Sequence, residues 1–171
     1  MGWNLVEGNG LTELFTCGLR KEITSSFNQK FIADFELDEI NTSSFDALAI
    51  PGGFENYGYY NDAYDDKFLN FIRSFRAENK IIATICVGAL PLGKSGELSG
   101  KTATTYHNPI RRQALKDFGA TVLHQPVVFD DGIITSWNPS TAIDVAFLLL
   151  EKLSSRENAD NVRKLMGFWF K

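Results

Sequence analysis

The sequence predicts an α/β protein in which helices cover both faces of a mostly parallel sheet. Short apolar segments with the length of strands alternate with segments that carry apolar residues at helical spacing. Two of them, residues 47–50 and 81–85, are almost continuously apolar, as parallel strands buried on both faces are. With 171 residues, 44% of them apolar, the chain suits a single domain spanning residues 1–171.

Most of the predicted strands are followed by turn residues or by a change of pattern. We expect strands or short extended pieces at residues 11–17, 22–25, 30–32, 47–50, 81–85 and 102–105. Pro51-Gly52-Gly53 ends the fourth of these. Asp130-Asp131-Gly132 separates residues 127–129 from residues 133–135 and predicts a hairpin.

The predicted helices follow from apolar spacing and from residues that begin or end a helix. Residues 65–78 carry Phe68, Phe71, Ile72 and Phe75 on one face. Asn108 is a helix cap followed by proline, which predicts a helix from residue 109 to residue 118. Further helices are expected at residues 87–93, 141–153 and 159–166.

Composition and charge argue against several classes of protein. The net charge is −4 and no basic stripe is present, so we expect no nucleic acid partner. The longest apolar run is residues 145–150, far shorter than the about 20 residues of a membrane span. Residues 1–10 do not have the pattern of a signal peptide. Two cysteines do not make a disulfide framework, so we expect a cytoplasmic protein.

Cys86 is the strongest chemical signal in the sequence. It stands between the predicted strand 81–85 and a short helix, with Gly88 two residues later. A helix N-terminus favours the thiolate, so we expect a thiol pKa below the usual value of about 8.5. This segment is equally consistent with the alternative that Cys86 is an unreactive buried cysteine. Cys17 has no such context and is expected in the core.

Other candidate residues follow strands that end at the same edge of the sheet. The backbone N–H groups of Gly53 and Val87 could form an oxyanion hole for a nucleophile at Cys86. His107 could act as a base or orient a thiolate, although it could equally be a polar loop residue. His124 is expected on the surface. No spacing typical of a metal site is present, and we expect neither a metal nor an organic cofactor.

Four segments contain the candidate residues or lie at the same edge of the predicted sheet: residues 45–53 (FDALAIPGG), 83–89 (ATICVGA), 100–107 (GKTATTYH) and 131–136 (DGIITS). Together they resemble the ThiJ/PfpI superfamily, part of the class I glutamine amidotransferase-like fold. The resemblance implies a flavodoxin-like three-layer sandwich, a homodimer, and Cys86 as the family's reactive cysteine with Gly53 as the oxyanion-hole glycine. It also implies a range of activities, among them hydrolase, hydratase and glyoxalase or deglycase chemistry.

The chain departs from this resemblance at three places. Val87 stands where the peptidase-like branch has histidine, which argues against peptidase activity. Tyr106 follows the two threonines directly and His107 comes one residue later, so Tyr106 could take the polar position instead. The family's first strand, and a glutamate that contacts the cysteine, cannot be assigned. We expect both upstream of Met1, in roughly 20–30 further residues.

Two functional hypotheses follow. The first is an enzyme that acts on a small molecule, with Cys86 as nucleophile and the Gly53 and Val87 N–H groups stabilising an oxyanion. The second is a non-catalytic redox-sensing or stress-response protein in which Cys86 is oxidised reversibly.

Overall fold

The computed structural model describes residues 12–168 of the chain. This part contains the strands β1 (Cys17–Gly18), β2 (Glu22–Thr24), β3 (Lys30–Ile32), β4 (Phe35–Glu36), β5 (Ala47–Ile50), β6 (Ile81–Thr84), β7 (Thr102–Ala103), β8 (Thr121–Val122), β9 (Val127–Asp130) and β10 (Ile133–Ser136). Its helices are α1 (Tyr59–Ala63), α2 (Asp66–Ala77), α3 (Ala89–Lys94), α4 (Pro109–Asp117), α5 (Ala142–Leu153) and α6 (Arg156–Leu165).

The central sheet has four strands in the order β5-β6-β10-β9. β5, β6 and β10 are parallel, and β9 returns antiparallel to β10 through a tight turn. Asp131 and Gly132 in that turn have φ values of 46° and 74°, which two-residue hairpin loops require. Three two-stranded pieces surround this sheet: β1 with β4, β2 with β3, and β7 with β8.

Helices pack on both faces of the sheet, which confirms the predicted α/β sandwich. Ile82 and Ile133 belong to a large core cluster with Phe75 of α2 and Leu92 of α3. The residues that follow them, Ala83 and Ile134, point to the opposite face and pack against Val145 of α5. This alternation is why the strands are apolar at successive positions.

Several predicted boundaries hold because the capping residues act as expected. Asp65 accepts a hydrogen bond from the Lys67 N–H at 2.8 Å, so α2 begins at Asp66. Asn108 caps α4 in the same way, accepting from the Ile110 N–H at 2.9 Å. The predicted hairpin of β9 and β10 is also confirmed.

Other predicted boundaries are wrong. Of the strand expected at 11–17, only Cys17 is in a strand; residues 12–16 are outside regular structure, and Leu11 lies outside the described residues. The strand expected at 102–105 ends at Ala103, because the Thr104 N–H donates to the Thr135 side chain at 2.9 Å instead of to a backbone carbonyl of a neighbouring strand. The last helix begins earlier than expected, at Arg156, where Ser155 provides a cap. The residues of the signal-peptide prediction, 1–10, are not described.

A groove of about 1000 Å³ runs along the free edge of β5. Thr12–Cys17 lines one side and Ala47–Ala49 the other, with Phe71 of α2 and Leu149 of α5 among the apolar walls. Because the Ile50 carbonyl accepts from the Ile85 N–H, the backbone groups of Ala47 and Ala49 face away from β6, towards this groove. The further strand that the resemblance implies stays a prediction.

No helix in residues 12–168 is both long and apolar enough to cross a membrane.

Candidate active site

Cys86 occupies a sharp turn between β6 and α3. Its φ is +60°, a left-handed conformation that residues other than glycine adopt only at a cost of about 1–3 kcal/mol. The Cys86–Gly88 segment forms one 3₁₀ turn before α3 begins at Ala89. A strained residue at a strand-to-helix turn is typical of a nucleophile elbow, as the sequence predicted.

Gly88 lets this turn lie directly against the end of β5. A Cβ atom at Gly88 would stand 2.6 Å from the Ile50 carbonyl oxygen and 3.0 Å from the Pro51 carbonyl oxygen. The first distance is shorter than real Cβ atoms show, and the second is at the tight limit of their contacts. The two backbone segments that carry Cys86 and the Pro51-Gly52-Gly53 turn can therefore meet only because residue 88 is glycine.

The segment after β7 holds the backbone of Cys86 in place. The Thr105 hydroxyl donates to the Cys86 carbonyl at 3.0 Å, and the Tyr106 N–H donates to the same oxygen at 3.2 Å. Thr105 is fully buried. The segment that contains His107 therefore contacts Cys86 through the Tyr106 backbone and the Thr105 side chain. The sequence analysis did not predict a role for Thr105.

Gly52 and Gly53 form the other wall of the site. A Cβ atom at Gly52 would lie 3.4 Å from the Cys86 sulfur, so the backbone of this turn borders the thiol. The Tyr59 ring packs on Gly53, and its hydroxyl donates to the Pro51 carbonyl at 2.9 Å. In residues 12–168 no hydrogen bond engages the Gly53 N–H.

The His107 ring contacts other aromatic side chains. Its centroid lies 4.9 Å from that of His124 and 4.8 Å from that of Trp137, and the His107 backbone N–H donates to the Asn138 side chain at 3.3 Å. Among the described residues, neither the His107 nor the Tyr106 side chain forms a hydrogen bond with Cys86. The alternative reading of His107 as a loop residue agrees with this geometry. His124 is exposed, as expected.

Arg111 is a charged residue that the sequence interpretation did not single out, although the loop that contains Glu55, Tyr59 and Tyr60 was considered as a pocket mouth beside Cys86. Arg111, on the first turn of α4, forms an ion pair with Glu55 of the loop after β5. Its guanidinium carbon lies 5.1 Å from the centre of the Tyr60 ring. Tyr60 in turn contacts Tyr59 edge to face at 5.2 Å. The one signal in the sequence was the place of Arg111 in the first turn of a predicted helix, three residues after the Asn108 cap.

The predicted low thiol pKa is wrong for the described part of the chain. Burial raises the pKa of the Cys86 thiol above its usual value, and the neighbouring Val87 N–H lowers that pKa by less. One short turn offers a weak helix field, and the nearby Arg111 is already paired with Glu55. Burial likewise raises the pKa of the Cys17 thiol, which packs against the core as predicted.

We therefore expect the Cys86 thiol of the 171-residue chain to titrate above the pKa of a free cysteine thiol, because the effect of burial outweighs that of the Val87 N–H. The measurement is thiolate absorbance against pH in the Cys17→Ala variant, which leaves one thiol to titrate. A midpoint clearly below pH 8 would mean that a positive group, absent from the described contacts, stabilises the thiolate.

Comparison with known proteins places these residues in a wider context. The model of the DJ-1/PfpI family matches residues 5–152. Protein DJ-1 homolog A of Arabidopsis thaliana is 33% identical over 138 residues, 80% of this chain and 34% of its own. General stress protein 18 of Bacillus subtilis is 36% identical over 107 residues, 62% of this chain and 59% of its own. Isonitrile hydratase of Pseudomonas putida is 33% identical over 121 residues, 69% of this chain and 50% of its own.

Solved structures agree on the fold. A THiJ/PfpI family protein from Pseudomonas syringae superposes with a TM-score of 0.82 at 24% identity, covering 93% of this chain and 64% of its own. The chain spans about a third of the length of the Arabidopsis relative and about half that of the hydratase.

Proposed function

Since the chain belongs to the DJ-1/PfpI family, we propose that it is an enzyme that uses Cys86 as a nucleophile on a small molecule. The observation that carries the proposal is the strained turn at Cys86, packed against the Gly52-Gly53 backbone. A φ of +60° at a non-glycine residue persists only where the surrounding contacts enforce it. Here those contacts present a half-buried sulfur beside bare peptide groups.

The proposed reaction begins when the Cys86 thiolate adds to an electrophilic carbon. The new S–C bond forms while the electron pair of the carbonyl or related group moves to its heteroatom. The Gly53 and Val87 N–H groups stabilise the resulting negative charge. No described side chain contacts the sulfur as a base, so the thiol loses its proton to water, and the rate should rise with pH through the thiol pKa.

His107 and Tyr106 have secondary roles in this proposal. The Tyr106 N–H fixes the Cys86 carbonyl, and the exposed phenol stands at the rim of the site. His107 stabilises the loop that carries Tyr106 by stacking on Trp137. The proposed substrate is a small carbonyl compound, an isonitrile or an amide. Isonitriles are included because the chain is similar to isonitrile hydratase.

The second candidate is a redox-sensing or stress-response protein. Similarity to General stress protein 18 favours it. In this case peroxide oxidises the Cys86 thiolate to a sulfenic and then a sulfinic acid, and each step transfers one oxygen atom to sulfur. The raised thiol pKa makes the reactive thiolate scarce at neutral pH in both candidates, so this pKa does not decide between them.

One experiment separates the two candidates. The Cys17→Ala protein is incubated with a panel of small aldehydes, isonitriles and amides, and separately with peroxide, followed by intact mass measurement. The enzyme proposal predicts turnover of at least one compound. Stable addition of two oxygen atoms at Cys86, with no turnover of any compound, would favour the sensor.

We also propose a homodimer whose contact includes an exposed aromatic patch beside the site. Phe27, Phe54 and Tyr57 are 77%, 58% and 64% exposed and contact one another edge to face. Clustered exposed rings of this kind are typical of interaction surfaces. The patch belongs in part to the loop that follows the Gly53 turn, so a second copy would shield the site.

A further inference from the structure

His107 and His124 form a contact that the proposed function does not use. They are the only two histidines of the chain, and they belong to separate segments of the sequence. Their ring centroids lie 4.9 Å apart, with an angle of 62° between the ring planes. The Trp137 ring completes the group, 4.8 Å from the His107 ring and 5.1 Å from the His124 ring. The fold therefore brings both imidazoles of the chain to one place on its surface.

The backbone on each side of the pair is held by hydrogen bonds. β7 and β8 run parallel, so the segments that carry the two histidines leave this ladder at the same end. Leu123, which precedes His124, accepts at its carbonyl from the Thr104 hydroxyl at 3.2 Å. The His107 N–H donates to the Asn138 side chain at 3.3 Å. These contacts place the two histidines side by side before any ligand binds.

The spacing of the two rings suits a shared metal ion. A metal–nitrogen bond of about 2.0–2.1 Å places a metal about 3.2 Å from the centre of an imidazole ring. Two rings bound to one metal at an angle of about 90–110° then have centres about 4.5–5.2 Å apart. The 4.9 Å between His107 and His124 falls in this range. Both side chains are exposed, so rotation about their side-chain bonds can turn a nitrogen of each ring to a common point.

The surroundings of the pair decide which metal it suits. Among residues 12–168, no group of three or more His, Cys, Asp or Glu side chains is placed to hold a metal, so water would complete the coordination. The Arg112 guanidinium donates to the Leu123 carbonyl at 3.1 Å, which puts a positive charge beside the backbone of His124. Such a site disfavours Mg²⁺ and Ca²⁺, which prefer oxygen ligands. Imidazole nitrogen favours Ni²⁺, Zn²⁺ and, most tightly, Cu²⁺.

We propose that His107 and His124 form a surface site for a divalent transition metal ion, with Cu²⁺ bound most tightly. The bound ion joins the loop after β7 to the loop after β8, next to the segment whose Tyr106 N–H holds the Cys86 carbonyl. The site revises the expectation of no metal, which considered only spacing along the chain. It is separate from the chemistry of Cys86 and stands whether or not Cys86 is a nucleophile.

Titration with CuCl₂ tests the site, because Cu²⁺ held by both imidazoles lies beside the Trp137 ring and quenches its fluorescence. The full chain is used without an affinity tag and with Cys17→Ala and Cys86→Ser, so that no thiol binds or reduces the ion. We expect one Cu²⁺ per chain. The electron paramagnetic resonance spectrum of the complex should show two nitrogen ligands. MgCl₂ at about tenfold higher concentration should not quench the fluorescence.

His107→Gln and His124→Gln distinguish a shared site from two independent ones. If both rings hold the same ion, loss of either should weaken Cu²⁺ binding at least about tenfold, because each ligand raises the effective concentration of the other. Gln125→Ala is the matched control. Gln125 is exposed beside His124 but has no imidazole, so its variant should keep the affinity within about twofold.

Three results would overturn the proposal. The first is an unchanged Cu²⁺ affinity in either histidine variant. The second is an equal weakening in Gln125→Ala, or equal quenching by MgCl₂, since either would indicate general binding of cations to the surface. The third is a resonance spectrum of the parent protein with fewer than two nitrogen ligands, a measurement that does not depend on whether the glutamine variants fold.

Discussion

Replacing Cys86 with serine should lower turnover by at least about 10³-fold, the loss typical when a nucleophile is removed. Serine fills nearly the same space, so the strained turn and its contacts with Gly52 should persist. A hydroxyl at that position lacks a base in the described structure and remains protonated at neutral pH. Turnover of the best compound from the substrate panel, measured alongside a thermal unfolding curve, gives the result.

Cys17→Ala and His107→Ala are the controls for that loss. Cys17 packs against the core, away from the turn, and its variant should keep most of the activity. His107 acts through its loop, so His107→Ala should cost less than Cys86→Ser. An equal loss from Cys17→Ala would point to general destabilisation, and an equal loss from a folded His107→Ala would make that histidine a full catalytic partner.

Gly88→Ala should reduce both stability and turnover. Its Cβ would stand 2.6 Å from the Ile50 carbonyl oxygen, a backbone atom that cannot rotate away. Gly88 has a φ of −58°, so alanine suits its backbone and would otherwise stabilise a helical position by up to about 1 kcal/mol. We expect instead a loss of about 1–3 kcal/mol in the free energy of unfolding, the usual cost of overpacking.

Gly93→Ala is the matched control, because it lies in the helix that follows. A Cβ there would meet the side chains of Phe118 and Leu115 at 2.9–3.1 Å, and side chains can shift. Urea unfolding should show a smaller loss for Gly93→Ala than for Gly88→Ala, with activity retained. If Gly88→Ala is as stable and as active as the unchanged protein, the close approach of the Cys86 turn to β5 is not required.

The fold could be predicted because its determinants are local. Continuous apolar strands indicated a sheet covered on both faces, and Asp65 and Asn108 marked helix starts through their own side chains. The strand expected at 11–17 was predicted from its apolar residues alone, and no capping or turn residue marks its bounds. Whether that segment pairs depends on what lies in the groove beside β5, which is a tertiary property.

The backbone geometry around the candidate site residues could be predicted in part for the same reason. Cys86, Gly53 and Val87 lie in short motifs whose backbone geometry follows from their own residues. The pKa of the Cys86 thiol depends on burial, which the sequence does not display. The predicted lowering of this pKa was therefore wrong. The pairing of Arg111 with Glu55 joins residues far apart in the chain, so no spacing could indicate it.

The position of the nucleophile is tested most directly by following activity while Cys86 is blocked. The Cys17→Ala protein is treated with substoichiometric iodoacetamide in steps, and residual turnover is compared with the fraction of Cys86 alkylated, read by peptide mass mapping. The account predicts that activity falls in direct proportion to the alkylated fraction and that substrate slows the alkylation. Full alkylation of Cys86 with turnover retained would contradict it.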